Sequence, residues 1–272
     1  MNHYQASLFK KNSSYDLERL NVHTHNGCNL KCSGCNHHSQ LFSPKATIDV
    51  KQLLLDLEIF LAKCKVLRVH VLGGEPLLNP SGTQQVLTFL LQKDVTVRLI
   101  TNGLLLQKNI DWLAPLISQG VELNVSIHTE LSSKQVMRFQ ERNPELPLKI
   151  NDFRNEMWFS LIGPYQSNKE ESFERCISLC PQLYRGKVYK CPHVAYVRDV
   201  FPSSDKRWDY MKAYQPLDIK GSFEEYQKFI QRQYTPEDIC AGCPSQPKYK
   251  LHQQVSKDEY QQVISQVDYN CD

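Results

Sequence analysis

Short β-rich runs alternate with amphipathic helical patterns through residues 19–165, and this alternation limits the fold more than any other feature. Strands are predicted at 19–25, 68–73, 96–101, 122–128, 148–152 and 158–163. Helices are predicted between them, at 49–64, 80–93, 105–118 and from Ser132, where Gln135 has the spacing of a capping box. Strands and helices in alternation indicate βα units and a parallel sheet.

The length of this segment restricts the α/β fold further. A complete eight-unit barrel typically needs roughly 250 residues, so a partial barrel or an open doubly wound sheet is expected. After about residue 165 the alternation stops, and a β-hairpin turning near Gly186 and a helix at 222–234 are predicted. We therefore expect an N-terminal extension at 1–18, a barrel-like domain at 19–165 and a small cysteine-bearing domain at 166–272.

Composition argues against several classes of protein. No apolar run approaches the roughly 20 residues of a membrane span, and the first residues lack the apolar core of a signal peptide. The net charge is only +3 and the basic residues do not run together, which argues against a nucleic-acid partner. A cytoplasmic protein that binds neither membrane nor nucleic acid is expected.

The ten cysteines fall into groups. Disulfides are rare where thiols are kept reduced, so short spacings indicate metal or iron–sulfur ligands. One group is Cys28, Cys32 and Cys35, and the other comprises Cys176, Cys180, Cys191, Cys240 and Cys243. Cys64 is predicted to be a core residue on an apolar helix face, and Cys271 stands alone near the end.

The first group, "CNLKCSGC" at 28–35, offers three thiolates where a [4Fe–4S] cluster usually takes four. A loop with three would leave one iron open, and open coordination positions are where metal sites perform chemistry. The alternative is a zinc knuckle whose fourth ligand is His37 or His38.

Three further motifs end consecutive predicted strands: "LGGEP" at 72–76, "TNG" at 101–103 and "SIH" at 126–128. Each of these motifs alone is more often a turn or a packed side chain than a ligand-binding site. Together they lie at the carboxyl ends of parallel strands, the edge where α/β barrels and sheets bind ligands.

In combination, the cysteine loop and these motifs resemble the radical S-adenosylmethionine (SAM) enzymes over residues 19–165. The resemblance implies a partial (β/α)6 barrel in which Cys28, Cys32 and Cys35 hold a [4Fe–4S] cluster whose open iron chelates SAM. It also implies a stretch that receives the SAM amino group, at Gly73, Gly74 and Glu75, and further cofactor contacts at Asn102, Ser126 and His128. Many members carry an aromatic residue where this chain has Gly34, so no adenine contact is assigned.

The second cysteine group resembles the auxiliary-cluster extensions called SPASM and twitch domains, and the shorter twitch form fits better. This resemblance implies a second [4Fe–4S] cluster on Cys176, Cys191, Cys240 and Cys243. Cys180 could replace Cys176 as a ligand, return a hydrogen atom to a substrate radical, or be an inert thiol. Structural zinc suits four cysteines equally well.

The layout is similar to that of compact twitch-bearing members such as aminocyclitol dehydrogenases. It implies reductive cleavage of SAM to a 5′-deoxyadenosyl radical, with an electron donor such as flavodoxin or ferredoxin. The expected reaction is oxidation or epimerisation of a polar small molecule: a sugar, an aminocyclitol or an amino-acid derivative. Modification of a ribosomally made peptide is the alternative substrate class, and a non-catalytic zinc or iron–sulfur interaction protein is the alternative of another kind.

Overall fold

The computed structural model describes residues 14–158, 166–176, 180–247 and 249–265. The strands in these residues are β1 (Leu17–His25), β2 (Val66–Gly73), β3 (Thr96–Thr101), β4 (Glu122–Ile127), β5 (Leu148–Asp152), β6 (Met157–Trp158), β7 (Gln182–Tyr184), β8 (Lys187–Tyr189), β9 (Leu217–Asp218) and β10 (Lys250–Leu251). The α-helices are α1 (Val50–Leu61), α2 (Pro80–Leu90), α3 (Ile110–Ser118), α4 (Glu130–Arg142), α5 (Lys169–Glu174), α6 (Pro192–Val200), α7 (Arg207–Ala213), α8 (Phe223–Gln233) and α9 (Lys257–Ser265).

Eight strands form one open sheet in the order β5-β4-β3-β2-β1-β7-β8-β9. The pairs from β5 through β1 to β7 are parallel, and β8 and β9 then pair antiparallel at the far edge. The fold is therefore the expected α/β class, an open and mostly parallel sheet of the partial-barrel type.

The two faces of the parallel strands differ in chemistry, because successive side chains point to opposite faces. One face carries the aliphatic residues Val69, Val71, Leu99 and Val125, which are buried against the helices. The opposite face carries polar residues such as Asn124 and lines a cavity. The sequences of these strands therefore alternate between apolar and polar residues, whereas parallel strands with two apolar faces have continuous hydrophobic sequences.

Helices α1, α2 and α3 lie within their predicted ranges but are shorter, whereas α4 is an exception because it begins before its predicted start. Asp49 caps α1 by accepting a hydrogen bond from the Gln52 amide, and Gly120 follows α3 with a positive φ of 115°. The exception is α4, whose cap is Thr129; its hydroxyl accepts from the Ser132 amide at 3.0 Å. The helix thus begins at Glu130, and the capping box expected at Ser132 is wrong, because Thr129 lies nearer the end of β4 and provides the cap first.

The described part of the sixth barrel strand predicted at 158–163 lies outside the main sheet. Its described part, β6, pairs antiparallel with β10 in a separate two-stranded sheet, and residues 159–163 lie outside the described residues. Only four residues separate β5 from β6, whereas a parallel neighbour needs a crossover of a dozen or more. The sixth parallel strand is instead β7, which adds to β1 at the opposite side of the sheet.

The hairpin expected near Gly186 is confirmed. Arg185 and Gly186 both have positive φ, 49° and 71°, as a two-residue hairpin turn requires. Helix α8 is confirmed as well and opens with a capping box between Ser222 and Glu225. Strands β7 and β8 continue the main sheet, and the domain boundary at 165/166 stays a prediction. Throughout the described ranges, every helix is too short or too polar to cross a bilayer.

Candidate active site

The cysteine loop, residues 28–35, follows β1 at the carboxyl edge of the sheet. Its three thiols are partly buried and line one cavity. Burial raises the pKa of Cys28 well above its usual range, and the negative charges of Glu75, Cys35 and Cys32 raise it further. Burial and then Cys35 raise the pKa of Cys32 to about 12. As thiolates these groups repel one another, which is the electrostatic setting that a bound cation relieves.

Gly73 and Gly74 bring the end of β2 against the start of the cysteine loop. The Gly74 amide donates to His25 O at 2.8 Å and the Glu75 amide donates to Gly27 O at 2.9 Å. A Cβ on Gly74 would lie 2.2 Å from Gly27 O, so a side chain does not fit there. Both glycines line the cavity, as expected for residues whose backbone receives a ligand.

Glu75 differs from the expectation of a ligand-binding carboxylate. Its side chain is fully buried and does not line the cavity. One carboxylate oxygen accepts from the Leu77 amide and the Thr101 hydroxyl, and the other accepts from the Asn102 amide at 2.8 Å. Burial raises the pKa of Glu75 to about 7, although these donors oppose the shift. This carboxyl group joins the ends of β2 and β3.

Asn102, Ser126 and His128 lie on the cavity wall. The Asn102 side-chain amide donates to Asn29 Oδ1 at 2.7 Å and reaches Cys28 Sγ at 3.8 Å. Ser126 and His128 share one face of the chain, as strand alternation predicts. The His128 ring stacks on Phe153 with centroids 5.4 Å apart, and its Nδ1 is buried without a hydrogen-bond partner among the described residues.

Cys28, Cys32 and Cys35 border the same cavity as the two glycines and the polar face of the sheet. Its volume is about 720 Å³, which matches the roughly 300–1,000 Å³ of small-molecule sites. Three thiols at one end, backbone at Gly73 and Gly74, and the unpartnered His128 nitrogen suit a three-thiolate iron–sulfur cluster with SAM chelated on it.

Two histidines that sequence analysis offered as a fourth ligand have other contacts. His37 Nδ1 lies 2.7 Å from His23 Nε2, and His38 Nδ1 lies 3.0 Å from the Tyr260 hydroxyl. A histidine that sequence analysis missed comes closer to a loop thiol. Ligand atoms of Cys32, His128 and His252 all lie within 4.8 Å of one another.

The segment that carries His252 packs directly on the cysteine loop, and we call residues 250–260 the C-terminal strap. Gln254 pairs with Cys32 in a β-bridge; its side chain accepts from the Lys31 amide at 2.7 Å and donates to Cys32 Sγ at 3.3 Å. The Tyr260 hydroxyl donates to Cys35 O at 3.1 Å. Nothing in the local sequence marks these residues, because they lie more than two hundred positions from their partners.

Several cysteines of the second group also lie near one another. The Cys191 thiol interacts with the charges of Cys176 and Cys240, and Cys191, Cys240 and Cys243 pack against one apolar cluster. Burial, then those two cysteines, raises the pKa of Cys191 above its usual range. Cys180 faces the central cavity instead, where its sulfur accepts from the Arg19 guanidinium at 3.6 Å. Cys64 is a buried core residue, as predicted, and Cys271 lies outside the described residues.

An open parallel sheet with a Cys-x3-Cys-x2-Cys loop at its carboxyl edge, beside a Gly-Gly-Glu turn, is the arrangement that the resemblance to radical SAM enzymes implies. Residues 22–143 match the family model described as "Radical SAM superfamily". This matched segment, less than half of the chain, is similar to that superfamily. The family implies a [4Fe–4S] cluster and SAM as cofactors.

Two curated proteins are similar to parts of the chain. The S-adenosylmethionine-dependent nucleotide dehydratase of Fibrobacter sp. (strain UWH6) is 28% identical over 172 residues, which are 53% of this chain and 49% of that protein. The 7-carboxy-7-deazaguanine synthase of Aquifex aeolicus (strain VF5) is 26% identical over 168 residues, 61% of this chain and 65% of that one. The chain thus spans less than two thirds of the length of either relative.

Solved structures are similar at lower identity. BtrN in complex with AdoMet and 2-DOIA has a TM-score of 0.49 at 16% identity, covering 84% of this chain and 92% of that chain. Native anSMEcpe with bound AdoMet and Kp18Cys peptide has a TM-score of 0.38 at 20% identity, covering 50% of this chain and 42% of that chain.

Proposed function

We propose that this radical SAM enzyme abstracts a hydrogen atom from a polar small molecule and thereby oxidises or epimerises it. The observation that carries the proposal is a cavity of about 720 Å³, which joins the cysteine loop to the polar face of the parallel strands. A substrate on that face would lie opposite a cofactor held at the loop. When cluster and SAM are bound, one electron cleaves SAM to methionine and a 5′-deoxyadenosyl radical, which removes the hydrogen atom.

The chain's own residues would then bind and enclose these groups. Cys28, Cys32 and Cys35 would hold the cluster. Backbone at Gly73 and Gly74 would receive the SAM amino group, and Ser126 and His128 would contact the rest of SAM from β4. The strap would cover the loop, because it bonds to Lys31, Cys32 and Cys35.

The second cysteine group would hold an auxiliary cluster on Cys176, Cys191, Cys240 and Cys243. The charges of Cys176 and Cys240 both act on Cys191, and Cys176 and Cys240 both pack against Phe173; this proximity supports the set and favours Cys176 over Cys180 as the ligand. A cluster held by these cysteines would supply the one-electron acceptor that an oxidation of the substrate requires. In an epimerisation, the Cys180 thiol would return a hydrogen atom to the substrate radical, a role for which its place on the cavity wall is suitable.

A small molecule is favoured over a peptide as substrate. The cavity's volume is that of a small-molecule site, and the names of the two curated relatives refer to a nucleotide and a deazaguanine rather than to a peptide.

Anaerobic reconstitution with iron and sulfide tests the proposal. We expect iron for two clusters, and release of 5′-deoxyadenosine from SAM when a reductant such as flavodoxin or ferredoxin is supplied. Cys32→Ala should abolish the release and lower the iron content, whereas Cys180→Ala should leave the iron content unchanged. Protein that takes up iron but never cleaves SAM would contradict the enzymatic function.

One observation favours a zinc-binding interaction protein as the second candidate. The ligand atoms of Cys32, His128 and His252 lie within 4.8 Å of one another, and sulfur and nitrogen ligands suit tetrahedral zinc. The reconstitution separates the two functions, because a zinc protein would purify colourless with one equivalent of zinc, and His252→Ala would remove that zinc.

A further inference from the structure

At the end of the cavity away from the cysteine loop lies a cluster of basic side chains from the first three strands. We call Arg19, His70 and Arg98 the basic floor. His70 and Arg98 are paired neighbours on β2 and β3, and Arg19 lies two residues before Asn21, the β1 partner of His70. All three line the same cavity as the cysteine loop.

The basic floor and the adjacent Arg68 together carry more positive charge than their acidic neighbours balance. Arg19 pairs with Glu18 at 3.1 Å. Glu122 is shared, since it accepts from Arg98 at 2.6 Å and lies 3.8 Å from Arg68. Three guanidinium groups therefore meet two carboxylates. The excess positive charge affects His70: after burial, the charges of Arg19, Arg98 and Arg68 lower its pKa to about 3.

Several polar atoms in this part of the cavity are buried and have no hydrogen-bond partner among the described residues. They are Arg19 Nε, His70 Nε2 and Asn21 Oδ1. His70 and Asn21 are more than nine-tenths buried, with 6% and 4% of their surface exposed. Native proteins satisfy such groups almost always, so unpartnered atoms around a cavity indicate a polar ligand.

We propose that the basic floor binds an anionic group of the substrate, a carboxylate or a phosphate, while the reacting carbon faces the cysteine loop. This inference rests on the proposed function, in which the cavity holds the substrate, and it narrows a polar small molecule to an anionic one. Arg98 and Asn102 are four residues apart on β3 and its carboxyl end, about 13 Å at the rise of a strand. That length leaves room for a small substrate between the basic floor and the cofactor site.

Two variants test the inference, one removing the cation and the other the anion of the ion pair between Arg98 and Glu122. Inorganic phosphate and malonate are titrated by calorimetry, at low salt, into the reconstituted full-length chain. Arg98→Gln removes a cation and should weaken binding roughly tenfold, the size expected for a hydrogen bond to a charged group. Glu122→Gln leaves the Arg98 guanidinium uncompensated and should strengthen binding severalfold. Arg154→Gln, which changes an arginine outside the cavity, should change nothing.

The outcomes separate cleanly. Preference for phosphate or for malonate identifies the anionic group, and either supports the inference. Absence of binding by the unaltered chain would overturn it, and so would equal weakening by Arg98→Gln and Glu122→Gln in variants whose thermal melting remains cooperative. The titration measures no turnover, so failure of SAM cleavage leaves this result standing. Conversely, SAM cleavage without anion binding contradicts only the basic floor.

Discussion

At the scale of single residues, the Gly-Gly-Glu turn has two separate tasks. The end of β1 and the start of the loop approach the backbone of Gly73 and Gly74 too closely for a side chain. A Cβ on Gly73 would lie 2.1 Å from His25 O, and a Cβ on Gly74 would lie 2.2 Å from Gly27 O. Glu75 points the other way and accepts hydrogen bonds that tie β3 to β2. The motif predicts the ligand-binding edge, but its carboxylate is part of the scaffold.

Replacing Gly74 with alanine tests the first task. The new methyl group would overlap backbone atoms, which cannot move without shifting the cysteine loop, so we expect a loss of about 1–3 kcal/mol in the free energy of unfolding and reduced cluster incorporation. Urea denaturation and iron content measure the two effects. Gly186→Asn is the control, because nothing lies within 4 Å of a Cβ there and asparagine tolerates a φ of 71°. Equal stability of the two variants would be incompatible with the close approach.

At the scale of elements, the C-terminal strap pairs with the cysteine loop through backbone hydrogen bonds, as a short strand would. Val255 N donates to Lys31 O and Ser33 N donates to Gln253 O, each at 2.8 Å. Together with the Gln254 side chain, these bonds satisfy loop backbone groups that helix and sheet ladders do not reach. The strap therefore acts as a structural part of the site.

Gln254→Leu should release the loop without removing the backbone bridge. The exposed Lys31 amide loses its acceptor, at an expected cost of about 0.5–1.5 kcal/mol for one intramolecular hydrogen bond, and we expect faster hydrogen–deuterium exchange across residues 28–35. Gln253→Leu is the matched control, since Gln253 contacts the loop through its backbone. Exchange rates unchanged in Gln254→Leu would show that the side chain does not stabilise the loop.

At the scale of the whole molecule, buried histidines make the fold sensitive to acid. Burial lowers the pKa of His23 to about 4, and burial with the nearby arginines lowers the pKa of His70 to about 3. The unfolded chain binds protons at these sites below about pH 6.5, whereas the folded chain does not. Their contribution to stability is thus complete above pH 6.5 and is lost as the pH falls toward 4.

We expect the urea midpoint to fall between pH 7.5 and pH 5, and to fall less in His70→Gln, whose side chain does not titrate. One pKa unit corresponds to about 1.4 kcal/mol. By pH 5, the unaltered protein should therefore have lost roughly 2 kcal/mol more of its free energy of unfolding than His70→Gln. Glu75, with a raised pKa, has the opposite pH dependence but is common to both proteins. Parallel slopes would contradict the buried, neutral state of His70.

The sequence by itself determined the βα alternation, the helices between the first five strands, the hairpin at Gly186 and the position of the cysteine loop beside Gly73 and Gly74. These features follow from local periodicity, turn residues and the rule that parallel strands end at one edge. Only the tertiary structure decided that β7 is the sixth parallel strand, that Glu75 turns inward, and that the strap and basic floor complete the cavity. Such contacts join residues far apart in the chain. They depend on packing and hydrogen bonding between distant segments, which no local sequence pattern contains.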